Sequence, residues 1–341
     1  MNSITDVYLI TGFLGSGKTT FLNRIMRSFP PVRKVFVLMN EFGEVGVDGV
    51  LIEGEDVRML EISKGSIFCV CVKTDFIKGL YEIARVSKPD VLLIESTGVA
   101  DPSDMKKDLA LPLFQGRFRL RNQFCVVDAE NFREALAVFA SMERQIASSD
   151  TFIINKIDRV PRQVVDEIRS AIRSLHPDPL FYETTYCNFP VDRYLSQASA
   201  SAAILKNDPV GNASQIPELS SAEIDTIIDG LLEDPQRRMS PPELLVSTAY
   251  RWTGGTYEEF EKAIRHWSQG LLRAKGFLDV DGEICLFNYT FGQTRKDTFP
   301  QHGNRIKHHN VVVLIGDPGA MERIGAAVSN GEWPHMEPYQ A

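Results

Sequence analysis

The run GFLGSGKTT, Gly12 to Thr20, follows the apolar VYLI and precedes FLNRIMRSF. It fits Gly-x-x-x-x-Gly-Lys-Thr, the pattern of a loop that wraps a phosphate. Gly12, Gly15 and Gly17 free the backbone so that its N–H groups, through Ser16 and Thr20, point inward at a helix N-terminus whose dipole favours anions. Lys18 is placed to reach the β- and γ-phosphates, and Thr19 to ligate Mg²⁺. A second pattern selects the base. Asn155, Lys156 and Asp158 stand as Asn-Lys-x-Asp directly after the apolar run TFII. A carboxylate at Asp158 can accept two parallel hydrogen bonds from N1–H and the 2-amino group of guanine. Adenine has neither donor and would leave a buried carboxylate unpaired. The nucleotide expected is therefore GTP. The stretch ETTYCNFP (183–190), with Thr184 and Thr185, can supply backbone against the guanine ring. Between these motifs VLLIESTG (91–98) is an apolar run ending in Glu95, with Gly98 three residues on. A strand-end carboxylate there can hold the Mg²⁺ shell or polarise the attacking water, and Gly98 lets a backbone N–H meet the γ-phosphate.

These residues need a frame that brings strand ends together. VYLIT (7–11), VFVLMN (35–40), VLLIES (91–96), FCVVD (124–128) and TFIIN (151–155) are short, continuous and rich in β-branched residues, as in a parallel sheet covered on both faces. Helical stripes lie between them: Phe21, Leu22, Ile25, Met26 and Phe29, then Val164, Val165, Ile168, Ala171, Ile172 and Leu175. Strand and helix in alternation predict a doubly wound, mostly parallel α/β domain of the P-loop NTPase class over residues 1–195. Residues 196–240, rich in Ser, Ala, Asn and Pro, read as a linker. Residues 241–341 change pattern. Thr256 and Glu259 form a capping box, and Tyr257, Phe260, Ile264, Trp267 and Leu271 follow as one stripe. FLDVDGEICLFNYT reads as a hairpin turning at Asp281-Gly282, and VVVLIGD (311–317) as a further strand. This is a smaller α+β domain, helices on an antiparallel sheet. No internal repeat is present.

With 341 residues, 43% of them hydrophobic, and a net charge of −8, the composition is globular. The 37 basic residues form no dense run, which argues against a nucleic-acid or anionic-membrane surface. No apolar run approaches the roughly 18–20 residues needed to cross a membrane, and MNSITDVYLITGF lacks a signal-peptide pattern. Five cysteines without framework spacing point to a reduced, cytoplasmic chain.

TGFLGSGKTTFLNRI, NEFGEVGVDGVLI, ESTGVADP, VVDA and NKIDRV together resemble the CobW-type GTPases, relatives of HypB and UreG. The resemblance is close over the first ~190 residues and looser over the C-terminal part. It implies a slow GTPase that delivers a metal, zinc or cobalt, or services a cobalamin-type cofactor, for a client metalloprotein or corrinoid protein. It places the Walker B glutamate on Glu95 and a switch region on NEFGEVGVD, around Glu41 and Glu44. One departure concerns the family's C-x-C-C. In KGSIFCVCVKTDF, Ser66 and Phe68 replace the first two cysteines, Cys69 keeps the third and Cys71 is extra. Cys69 and Cys71 can ligate Zn²⁺ or Co²⁺ as thiolates, with Glu41, Glu44 or a second subunit in a homodimer completing the sphere. Alternatively SIFCVCV alternates like a strand, which would put both thiols on one apolar face. His308 and His309, side by side at a strand entry, face opposite ways and do not read as a joint site. Cys125 and Cys285 read as core, and Cys187 lies beside the guanine stretch. No arginine finger or positioned glutamine is evident, so turnover should be slow. A second class of function remains open: a GTP-regulated module that remodels its client without carrying metal.

Overall fold

The computed structural model describes residues 4–42, 58–64, 70–96, 98, 101–114, 116–191, 195, 216, 218–233, 245–280, 283–298 and 309–339. The chain divides into two compact units, one built on a seven-stranded sheet and one holding the residues from Glu243 onward.

In the first unit β1 (Thr5–Thr11) sits near the centre, with β2 (Val35–Phe42), β3 (Arg58–Lys64) and β4 (Val91–Glu95) to one side. β5 (Phe118–Asp128), β6 (Thr151–Asn155) and β7 (Leu180–Glu183) lie to the other, in the order β3-β2-β4-β1-β5-β6-β7. β2, β4, β1, β5, β6 and β7 pair in parallel. β1, β4 and β6 are buried along their whole length. Val7 and Leu9 enter the core on one face, Tyr8 and Ile10 that on the other. Burial on both faces is why these strands read as unbroken apolar runs. The two strands without such a signal, RMLEISK and LFYE, are the edges, where one neighbour is missing and charge is tolerated.

The helix after the glycine-rich run, α1 (Lys18–Arg27), buries Phe21, Leu22, Ile25 and Met26. α2 (Val70–Glu82) takes in Cys71, so the strand alternation of SIFCVCV does not hold there. The phase is set downstream, where Phe76, Ile77 and Leu80 are buried. α3 (Pro102–Leu109) is capped by Asp101, whose carboxylate accepts from Ser103 N–H at 2.9 Å. α4 (Phe132–Val138), α5 (Ala140–Ser148) and α6 (Arg162–Leu175) complete the layers around the site, α6 burying Val165, Ile168 and Ile172. The stretch expected to be a linker contains a helix at Ser221–Glu233. Its Ile224 and Ile228 join the core of the first unit, and Ser220 with Glu223 forms a reciprocal cap. These two are the buried hydrophobics among the helix's described side chains, and the Ser-, Asn- and Pro-rich run before it obscured the helical spacing of Ile224, Ile227, Ile228 and Leu231.

The second unit is a six-stranded antiparallel sheet in the order β11-β10-β9-β12-β8-β13: β8 (Val246–Trp252), β9 (Leu271–Val280), β10 (Glu283–Thr290), β11 (Gln293–Thr298), β12 (Val311–Gly316) and β13 (Met336–Pro338). β9 and β10 form the expected hairpin; Asp281 and Gly282 lie outside the described residues. Helix Tyr257–His266 carries the capping box of Thr256 and Glu259 and buries Phe260 and Ile264. Leu271 falls beyond that helix and opens β9, because Gly270, at φ 81°, turns the chain first.

Candidate functional site

Parallel strands deliver their following loops to one end of the sheet, and that is where the motif residues gather. The chain leaves β1 through Gly12 at φ 137°; a Cβ there would lie 2.2 Å from Val126 O on β5. Gly15 and Gly17 also take positive φ, at 73° and 107°. A Cβ at Gly17 would meet Asn155 Nδ2 at 2.6 Å. Position 12 is glycine because β5 passes against it, and position 17 because the Asn155 amide does. Ser16 is fully buried and Thr20 exposed. Lys18 is 6% exposed, its ammonium folded across the loop onto Phe13 O at 3.1 Å. Thr19 Oγ1 donates to Glu95 Oε1 at 3.2 Å, joining the helix start to the end of β4. A hydroxyl and a carboxylate side by side are oxygen donors of the kind Mg²⁺ takes, so the residues present fit that ion. Gly98 is pressed against the loop: a Cβ would lie 2.6 Å from Leu14 N. Its carbonyl accepts from the buried Gln145 Nε2 at 3.0 Å.

The guanine motif is built around Asn155, which is 3% exposed and spends its amide on protein. Nδ2 donates to Ser16 O at 2.9 Å, while Oδ1 accepts from Cys187 N at 2.9 Å and from Thr184 Oγ1 at 3.4 Å. One side chain thus ties the phosphate loop to the stretch after β7. Tyr186 and Cys187 there take left-handed φ of 52° and 54°, a conformation that costs non-glycine residues about 1–2 kcal/mol each. Asn155 holds one of them, and Arg24 of α1 holds the other through Nε to Tyr186 O at 2.7 Å. Cys187 is wholly buried with Sγ 3.6 Å from Gly17 O, and burial pushes its thiol pKa up to about 12. It is packing beneath the loop. Asp158 stands exposed on the 3₁₀ turn Ile157–Arg159, where its Oδ1 accepts from Thr185 Oγ1 at 3.0 Å.

Asp128, the acidic residue of VVDA at the end of β5, has a role that its local sequence does not announce. Its carboxylate is buried, accepts from Glu130 N and Asn131 Nδ2, and holds Lys156 Nζ at 2.7 Å. Lys156 is itself left-handed, φ 63°, so the pair fixes a strained residue beside Asp158. The one signal it leaves is an acidic residue at the end of a buried strand, the same signal that picked out Glu95. A hydrogen bond between charged partners contributes about 1.5–3 kcal/mol. Asp128→Asn should therefore weaken guanine-nucleotide binding roughly tenfold or more. Titration with a fluorescent GDP analogue measures it, and unchanged affinity would leave the pair as a structural contact without influence on the base site.

The nucleotide-binding-domain model of CobW/HypB/UreG matches residues 6–182, just over half of the chain. The chain belongs to the CobW/HypB/UreG family. It is 38% identical over 157 residues to the zinc chaperone YeiR of Escherichia coli strain K12, covering 46% of this chain and 48% of that one. It is 31% identical over 189 residues to the zinc-regulated GTPase metalloprotein activator 1 of Schizosaccharomyces pombe, covering 53% and 46%. The chain thus spans about half the length of these relatives. The Zn(II)-bound YjiA GTPase of E. coli aligns over 97% of this chain and 99% of its own at 22% identity, with a TM-score of 0.41.

Of the residues that could hold a transition metal, Cys69 and Glu44 lie outside the described residues, while Cys71 is in α2 and Glu41 in β2. His308, not read as a ligand, also lies outside the described residues. His309 is exposed before β12. Among the described residues no three His, Cys, Asp or Glu side chains come together as a metal group. Cys125 and Cys285 are buried core, as their apolar runs suggest, and burial raises both thiol pKa values, Cys125 to about 12. No helix among the described residues is long and apolar enough to cross a membrane.

Proposed function

We propose that this chain binds GTP with Mg²⁺, hydrolyses it slowly in the cytoplasm, and uses the cycle to hand zinc or cobalt to a client metalloprotein or corrinoid protein. The observation that carries the reading is one sheet end with two halves. A phosphate loop has its Thr19 against Glu95, and an Asp158 carboxylate is aimed by Thr185. Gly12, Gly15, Ser16, Gly17 and Thr20 cradle the phosphates, with Lys18 on the β- and γ-oxygens. Thr19 and Glu95 would hold the Mg²⁺, which supplies charge neutralisation on the phosphates. Glu95 also polarises the attacking water, and Gly98 N–H faces the γ-phosphate. Asn155 and Lys156 fix the base site, and Asp158 reads guanine. The names of the relatives, a zinc chaperone and a zinc-regulated activator, support metal as the cargo.

Cys69 and Cys71, with Glu41, Glu44 or a second subunit, are the proposed cargo ligands. Equilibrium dialysis with Zn²⁺, Co²⁺ and Ni²⁺, in GTP, in GDP and without nucleotide, tests this directly. One metal per chain or per dimer, of micromolar order, should bind with an affinity that differs between GTP and GDP. Linkage then requires the metal to shift nucleotide affinity by the same factor. Binding should weaken as pH falls, because thiolates must be regenerated from thiols. A Cys69→Ala, Cys71→Ala double variant should lose the metal and still hydrolyse GTP. Identical curves for wild type and double variant, or no binding in any nucleotide state, would favour the metal-free client-remodelling module instead. Ser66 and Phe68, standing where the family has cysteines, are the observation on its side.

A further inference from the structure

The opposite end of the parallel sheet, where the strands begin, carries chemistry that nucleotide binding does not use. Asp6, the second residue of β1, is 6% exposed and shared by three arginines. Arg119 donates to Oδ1 from Nε at 3.0 Å and Nη2 at 2.8 Å. Arg121 bridges both oxygens, Nε to Oδ1 at 2.8 Å and Nη2 to Oδ2 at 3.3 Å, and Arg33 Nη1 lies 3.7 Å from Oδ2. One bidentate guanidinium satisfies a carboxylate; two more leave a local excess of two positive charges. The side chains of Arg33 and Arg119 remain 44% and 46% exposed. Lys34 and Lys88, both exposed, precede β2 and β4, where Asp90 is the acidic neighbour and accepts from Lys34 N–H. The bias belongs to the β2–β5 half, since Asp150 and Asp178 precede β6 and β7.

Apolar surface gathers on the same end. Of the eight large apolar side chains exposed among the described residues, five are Val32, Val86, Leu120, Leu175 and Leu180. Each stands within five residues of the first residue of β2, β4, β5 or β7. Val32 is 86% exposed and Val86 60%. From β2 to β7 the row crosses five strand spacings, about 24 Å at ~4.8 Å each. A helix of about 16 residues would span it.

We infer that this ridge docks an acidic amphipathic segment, of a helix's length, from a partner protein. Carboxylates of the segment neutralise the surplus guanidiniums on Asp6, and its apolar face covers the row of valines and leucines. Arginine with exposed apolar residues is the composition of protein interfaces. A polyanion such as nucleic acid would gain from the arginines alone and would leave the apolar row wet. The ridge lies before the strands and the nucleotide residues after them, so both can be occupied at once.

The test uses the full chain with GDP and three fluorescein-labelled peptides of about 16 residues, the span just derived. One carries a helical Leu stripe flanked by Glu, one has Leu replaced by Ser, and one has Glu replaced by Gln. The Glu/Leu peptide should bind at least tenfold more tightly than either control, and weaken as salt is raised. Arg33→Glu with Arg119→Glu should cost at least tenfold while Arg121 keeps its bidentate hold on Asp6. Val32→Ser with Leu120→Ser should also lose binding. Unchanged GDP affinity and circular dichroism would establish that both variants fold. Equal binding of the three peptides, no binding of the Glu/Leu peptide, or full retention by folded variants overturns the inference. So does binding of heparin or phosphatidylserine vesicles with the same loss in the arginine variant, which would give the ridge to a polyanion.

Discussion

Glu95→Gln should bind GTP within about threefold of wild type and hydrolyse it at least about a hundredfold more slowly, the scale seen when one preorganised polar contact to a transition state is removed. Glu95 is 5% exposed at the end of a strand buried along its whole length, so neither the backbone nor its neighbours can shift to replace it. Its Oε1 is already engaged by Thr19 Oγ1 at 3.2 Å. Glutamine keeps that acceptor and the shape, so the fold and the phosphate cradle survive. What goes is the negative charge, and with it the group that can polarise a water or hold the Mg²⁺ shell. The loss therefore falls on the rate and not on the base or the phosphates. Lys18→Ala is the contrasting control. That ammonium lies across the loop, on Phe13 O, and its removal should abolish nucleotide binding itself. Single-turnover hydrolysis at saturating GTP separates the two. Wild-type turnover by Glu95→Gln would take Glu95 off the list of reacting groups.

The parts of this molecule legible in its sequence are those where one residue type has one physical use. GFLGSGKTT calls for a phosphate-wrapping turn, and the interiors of TFIIN and VLLIE are unbroken apolar runs because both their faces are covered. The edge strands RMLEISK and LFYE were not legible, since an edge imposes no continuous apolar demand. Nor was the helix Ser221–Glu233, although its Ser220-x-x-Glu223 cap was in plain view. In the site, residue types announced Lys18 and Asp158, but not how Asn155 is used. Its amide is saturated by Ser16, Thr184 and Cys187, so its work is to hold two loops together. Asp128 and Gln145 escaped for a related reason. They act through Lys156 and Gly98, and a contact across 28 or 47 positions leaves no local pattern.

Asp158→Asn should exchange one base for another. On the proposed reading, the wild-type carboxylate offers acceptors to guanine N1–H and to the 2-amino group. Thr185 Oγ1 aims it, donating to Oδ1 at 3.0 Å. Asparagine turns one acceptor into a donor, which then opposes the 2-amino donor of guanine. With about 1–3 kcal/mol for each of the two opposed donors, some 2–6 kcal/mol together, GTP should weaken by roughly 30- to 20,000-fold. Xanthine carries a carbonyl where guanine carries that amine, so xanthosine triphosphate should bind the variant better than GTP does. Thr185→Ala should cost far less, because it loosens the aim of the carboxylate without changing its charge. Competition of GTP, ATP and xanthosine triphosphate against a fluorescent GDP analogue decides among the readings. ATP displacing the probe from wild type as well as GTP would end the guanine assignment. Loss of GTP without a gain of xanthosine triphosphate would mean that Asp158 serves the Thr185 loop and not the base. The exchange of specificity is the one result that a purely structural carboxylate cannot produce, because a loop support has no means of telling an amine from a carbonyl on the ligand.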